Sequence, residues 1–120
     1  MKKIKKVCTG DIFIINFSLN SKRSEIKKSR PAVVFQSDEI TNQVKTVIVL
    51  PFTSNLKRKG LPYALFIPKS QENGLEKDSV ILCHQIRAVD KTRLTKKIGR
   101  LNDKQISELE LKLLYTLGIS

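Results

Sequence analysis

Histidine, cysteine and tryptophan are nearly missing from this chain of 120 residues, which has one His, two Cys and no Trp. A transition-metal site is built from several imidazole, thiolate or carboxylate ligands, so Cys8, Cys83 and His84 scarcely make one, and neither metal nor cofactor is expected. The cysteines stand far apart without a Cys-x-x-Cys spacing, which reads as packed thiols in a reducing compartment, not as a disulfide. Long apolar runs are lacking too. Lys2, Lys3, Lys5 and Lys6 resemble the basic start of an export signal, but Asp11 and Asn16 interrupt the apolar stretch that follows. No run is long enough to span a bilayer, so a cytoplasmic protein without membrane contact is expected. Acidic residues are few: 11 Asp and Glu stand against 23 Lys and Arg, a formal charge of +12. Such an excess draws counterion-coated polyanions, nucleic acid first among them, with salt-sensitive affinity.

What is present suffices for one compact domain over residues 1–120, since 40% of the residues are apolar and the length permits a real core. For most of the chain the apolar pattern is continuous or of period two. Gly10-Asp11 introduces a strand over Ile12 to Phe17 with both faces covered. Ser18 to Ser29 is a long basic connection holding Lys22, Arg23, Lys27 and Lys28. Two strands follow, then a basic loop with Lys57, Arg58 and Lys59. Tyr63 to Ile67 reads as a fourth strand ended by Pro68, Asn73-Gly74 as a turn, and Ser79 to Gln85 as a fifth strand, with Ile86 to Val89 continuing the sheet after a bend. Asp90 is placed to cap a short helix over Lys91 to Lys97. Asn102 and Gln105 form a capping pair for a helix along which Ile106, Leu109, Leu113 and Leu117 recur as a core stripe, with Gly118 ending it. The fold expected is mainly β with a C-terminal helix, a strongly bent antiparallel sheet that is nearly a barrel.

Within that pattern one pairing carries chemistry. Arg30-Pro31 opens the run Ala32-Val33-Val34-Phe35, and Thr53-Ser54 closes the run Thr46 to Pro51. If the runs form an antiparallel hairpin, the start of one lies beside the end of the other. A register that pairs Arg30 with Thr53 centres the turn between Thr41 and Asn42, inside the polar loop Ser37 to Gln43. A guanidinium beside a hydroxyl at a sheet's rim offers a phosphate site.

Four segments in order then resemble the MazF/PemK-type toxin endoribonucleases. They are Gly10-Asp11-Ile12; Ser24-Glu25 leading to Arg30-Pro31-Ala32-Val33-Val34; Pro51-Phe52-Thr53-Ser54; and Asp78 to Arg87 with Asp90-Lys91-Thr92-Arg93-Leu94. Each alone is weak, whereas four in order with compatible spacing are specific and cover nearly the whole chain. The resemblance implies a homodimeric SH3-like barrel of the CcdB/MazF kind that cuts single-stranded RNA without a metal. It also implies a cognate antitoxin whose acidic tail covers the RNA groove. The chain departs from the pattern before Arg30, where relatives commonly carry glycines and this sequence has Lys27-Lys28, trading backbone freedom for charge.

Metal-free RNA cleavage turns the ribose 2′-hydroxyl against its own phosphate, so charge must be stabilised on a five-coordinate phosphorus while two protons move. Arg30 suits the charge because its planar fork can grip two phosphoryl oxygens. Thr53 offers a hydroxyl to the same phosphate, and the resemblance marks the matching threonine as catalytic. The resemblance assigns the matching arginine acid or base work, yet a guanidinium holds its proton far above neutral pH, so Arg30 reads as electrostatic stabiliser and candidate acid. The base is left to water, Ser54 or a group the sequence does not reveal. His84 is a further candidate, with an ordinary pKa near neutrality, although the family commonly has other residue types there. Lys27, Lys28, Lys57, Arg58 and Lys59 are expected to hold the RNA backbone, and Ser54 is expected to contact the RNA as well. Gln85 and Arg87, at the end of the fifth strand, are placed for a base or phosphate contact. The competing readings are a non-catalytic RNA-binding module and an inactive toxin remnant. A gyrase poison of the CcdB kind is disfavoured, since those act through a C-terminal tryptophan.

Overall fold

The computed structural model describes residues 6–17 and 29–119. Seven strands, β1 (Asp11–Asn16), β2 (Ser29–Val34), β3 (Thr46–Thr53), β4 (Ala64–Ile67), β5 (Ser79–Leu82), β6 (Arg87–Asp90) and β7 (Leu94–Arg100), form one antiparallel sheet. Its order is β4-β5-β3-β2-β1-β7, with β6 also paired to β3. The sheet bends strongly without closing, because β4 and β7 stand at opposite ends of that order. A one-turn helix α1 (Asp38–Thr41) lies between β2 and β3, and the long helix α2 (Asp103–Leu117) ends the fold.

Strands β1 to β3 read as continuous apolar runs because both their faces are covered. Ile12, Val33, Leu50 and Phe52 face a core that also holds Leu101 and the α2 residues Leu109 and Leu113. Phe13, Ile15, Ala32, Val34, Val47 and Val49 face a second cluster with Val89 and Leu94. Phe13 and Phe52 are 1% exposed, and burying a side chain of that size stabilises by about 1.5–3 kcal/mol.

Helix α2 begins at the capping box expected of Asn102 and Gln105: each side chain accepts from the other's backbone N–H, at 2.7 and 3.1 Å. It stops at Gly118 in the left-handed conformation. The stripe is core at Leu109 and Leu113 and packs against it at Ile106, but Leu117 is 50% exposed. Leu117 lies in the last turn, past the end of the surface that the sheet offers.

Three expected elements differ. The helix over Lys91 to Lys97 is a 3-10 turn, Lys91–Arg93, followed by β7. Asp90 does cap it, accepting from Thr92 N and Oγ1, and those bonds hold its carboxyl below the usual range. Backbone pairing with β1 outweighs the helical spacing of Leu94 and Ile98. The strand over Ser79 to Gln85 stops at Leu82, and Cys83–Gln85 is a 3-10 turn. The loop Ser37 to Gln43 contains α1, tied down by Lys91 Nζ donating to Thr41 O. Cys83 is a free, buried thiol, and burial pushes it up to about 11 despite Lys112 nearby. Cys8 is also free and half-buried.

Candidate active site

Strand β3 builds the site by changing partners along its length. On one side it pairs with β2 in the register Val34 to Val49, Val33 to Leu50 and Ala32 to Pro51. This is the register that would set Arg30 opposite Thr53. The ladder stops at Pro51, and Pro31 precedes the last pair on the other strand; neither proline has an N–H to donate. Past that point the strands part. Arg30 stays paired to Ile15 of β1, while Thr53 pairs with Val80 of β5. The fork opens a cavity of about 590 Å³ lined by Arg30, Thr53 and Ser54.

Both groups are ready for a ligand. The Arg30 side chain is exposed and has no hydrogen bond or ion pair among the described residues. Thr53 Oγ1 accepts from Asn55 N at 3.1 Å, which leaves its proton to donate into the cavity.

The other edge of β3 explains a second, smaller cavity. Thr53 faces Val80 but Val49 faces Arg87, so the β5 to β6 segment carries three more residues than its partner stretch. The excess is the turn Cys83–Gln85, which takes Gln85 out of the ladder. Gln85 lines a cavity of about 290 Å³ with Phe17, Pro51, Arg87 and Arg30. The Arg87 guanidinium lies over the Phe17 ring at 5.0 Å. Arg30 is therefore shared by two adjoining cavities.

The remaining expected residues sit elsewhere. His84 lines neither cavity; its ring meets Tyr63 edge-on at 4.4 Å. Leu56–Arg58 is a 3-10 turn capped by Asn55. There Arg58 donates to Tyr63 Oη at 2.7 Å and Lys59 lies over Phe66 at 4.1 Å, outside the Arg30 cavity. Lys27 and Lys28 lie outside the described residues. Sequence reasoning missed Glu76, Lys77 and Lys96, all of which line the larger cavity. Lys96 was hidden by reading its segment as a helix. Glu76 follows the Asn73-Gly74 turn, the one local signal that could have drawn notice to it.

A bent open β-sheet with a terminal helix, forked by two prolines around an arginine and a threonine, defines a small β fold with a cation and a hydroxyl lining one rim cavity. Residues 9–117 match the family described as the PemK-like, MazF-like toxin of type II toxin-antitoxin systems. Endoribonuclease MazF of Staphylococcus saprophyticus is 36% identical over 110 residues, covering 92% of this chain and 90% of the relative. Among solved structures, the MazE-MazF complex (Form-II) of Deinococcus radiodurans aligns with TM-score 0.79 at 23% identity, covering 98% of this chain and all of that one. The Mycobacterium tuberculosis toxin MazF-mt6 aligns with TM-score 0.75 at 22% identity, covering 92% and 98%. The chain belongs to the PemK-like, MazF-like toxin family.

Proposed function

We propose that this toxin is an endoribonuclease that cuts single-stranded RNA at defined sequences, without a metal, through attack of a ribose 2′-hydroxyl on the neighbouring phosphate. The observation that carries the reading is one cavity lined by both Thr53 and an Arg30 whose side chain has no partner among the described residues. Arg30 grips the phosphoryl oxygens and takes up the charge that grows on phosphorus, and Thr53 donates to the same group. Gln85 and Arg87, in the adjoining cavity, face the nucleotide beside the scissile phosphate. An unpaired base in RNA presents its hydrogen-bonding edges, which a side-chain amide can read. Membership of the family and the identity to a relative named an endoribonuclease support the activity. The MazE-MazF complexes among the structural neighbours support a cognate antitoxin, and the charge of +12 suits an acidic tail lying in the RNA groove. The active form is a homodimer acting in the cytoplasm.

Purified protein incubated with a defined RNA in EDTA should cut at a few sites and leave a 2′,3′-cyclic phosphate. Cleavage that stops in EDTA, or products with a 5′-phosphate, would refute the mechanism. Intact RNA held in a tight complex would point to the non-catalytic module.

Lys57, Arg58 and Lys59 are proposed to hold the RNA backbone from the rim. Each phosphate contact on a single strand contributes about 0.7 to the slope of log affinity against log salt, so replacing all three by Gln should flatten it by up to about 2. A slope equal to that of the wild type removes this turn from the groove.

A further inference from the structure

The geometry points to Glu76 as the general base that takes the proton from the attacking 2′-hydroxyl. The proposal rests on the RNA-cleaving reading above and supplies the group which that reading leaves unnamed. Among the described residues that line the Arg30 cavity, Glu76 is the one carboxylate. The other candidates there fail on chemistry. Arg30, Lys77 and Lys96 are cations that only donate, and the Thr53 and Ser54 hydroxyls accept a proton poorly at neutral pH.

Glu76 is exposed, and the backbone on either side of it is pinned. Asn73 is 2% exposed and its Oδ1 accepts from Ser70 N and Leu75 N, both at 3.0 Å, while its Nδ2 donates to Pro68 O at 2.9 Å. Gly74 packs so closely on β7 that a Cβ there would lie 2.0 Å from Ile98 O. Arg100 N donates to Glu72 O at 3.1 Å, and Leu75 is 7% exposed in the main core. Asp78, two residues on, is committed to the loop, accepting from Lys69 N at 3.0 Å. Glu76 has no hydrogen bond or ion pair among the described residues. A rigid segment thus carries an uncommitted carboxylate to the cavity's edge, the arrangement that a positioned base requires.

The step balances without a further reactant. As the O2′–P bond forms, the 2′-proton passes to Glu76. As the P–O5′ bond breaks, the 5′-oxygen takes a proton from water, and Glu76 later returns its own to water. Arg30 on β2 and Lys96 on β7 face the reacting phosphate, with Lys77 beside Glu76, and offset the charge.

The test compares wild type, Glu76→Gln and the loop control Glu72→Gln on one RNA, with affinity measured on its 2′-deoxy analogue. Glu76→Gln is expected to cut on the order of 10²–10⁴-fold more slowly, with affinity held. Glu72→Gln is expected to match the wild type. An RNA with sulfur as the bridging 5′ atom, a leaving group that needs no proton, should not restore the Glu76→Gln rate. An unchanged rate, a rate loss matched by lost affinity, or rescue by the sulfur substrate overturns the assignment. Failure of the wild type to cut would instead sink the endoribonuclease reading. Circular dichroism spectra of both variants, with Glu76→Ala as a second substitution, separate chemistry from misfolding.

Discussion

Arg30→Ala is expected to lose RNA cleavage by about 10³-fold, roughly 4 kcal/mol of transition-state stabilisation, while its far-UV spectrum, melting temperature and oligomeric state stay those of the wild type. The stability half of the expectation follows from exposure: the Arg30 side chain makes no hydrogen bond or ion pair among the described residues, so its truncation costs the fold little. The activity half follows from its place between two cavities, where one guanidinium can grip the phosphate beside Thr53 and adjoin the nucleotide beside Gln85. Arg30→Lys keeps the charge and gives up the fork, so it should recover only part of the rate. Thr53→Ala removes one donor and should cost about 10²-fold, less than the loss of the charge. Single-turnover cleavage of one RNA by the three variants checks the order. A wild-type rate in Arg30→Ala would mean that the cavity is not where phosphorus reacts.

The β2 to β3 register was legible in the sequence because its causes are local, but that register sets Arg30 opposite Thr53, and the parting of the strands at Pro31 and Pro51 was not read from it. The Arg30-Pro31 and Pro51-Phe52-Thr53 segments state both the strand ends and the residues that cannot donate across the ladder, and the observed register at Ala32 and Pro51 follows from them. Asn102, Gln105 and Gly118 announced α2 in the same local way. What was not legible depends on partners distant in the chain. Leu94 and Ile98 have a spacing that a short helix would also show, and only β1, some eighty residues earlier, decides for a strand. The turn Cys83–Gln85 exists because β5 and β6 share one edge of β3 out of step, which no single segment records. Glu76 reaches the cavity through contacts between its turn and β7, so no spacing relative to Arg30 or Thr53 could have marked it.

That dependence on β7 makes Gly74→Ala the substitution with the largest expected effect on stability. Gly74 has φ +71°, and an added Cβ would meet Ile98 O at 2.0 Å and Ile98 C at 2.7 Å. Gly118 has nearly the same backbone, φ +76°, with nothing within 4 Å of a built Cβ. Backbone strain alone costs about 1 kcal/mol at either position, so Gly118→Ala measures that term by itself. At Gly74 the clash is with the backbone of Ile98, which lies at an irregularity of β7 between the paired residues Lys97 and Gly99. The turn must lift from β7, giving up the Gly74 N to Ser70 O bond of 3.0 Å and disturbing the burial of Asn73 and Leu75. A loss of about 3–5 kcal/mol is expected, which for a domain of this size lowers the melting temperature by more than about 10 °C at fixed protein concentration. Equal melting temperatures for the two variants would show that the turn is not pinned as described. Because Glu76 lies two residues beyond Gly74, Gly74→Ala should also cut RNA more slowly at temperatures where it is still folded, whereas Gly118→Ala should cut at the wild-type rate.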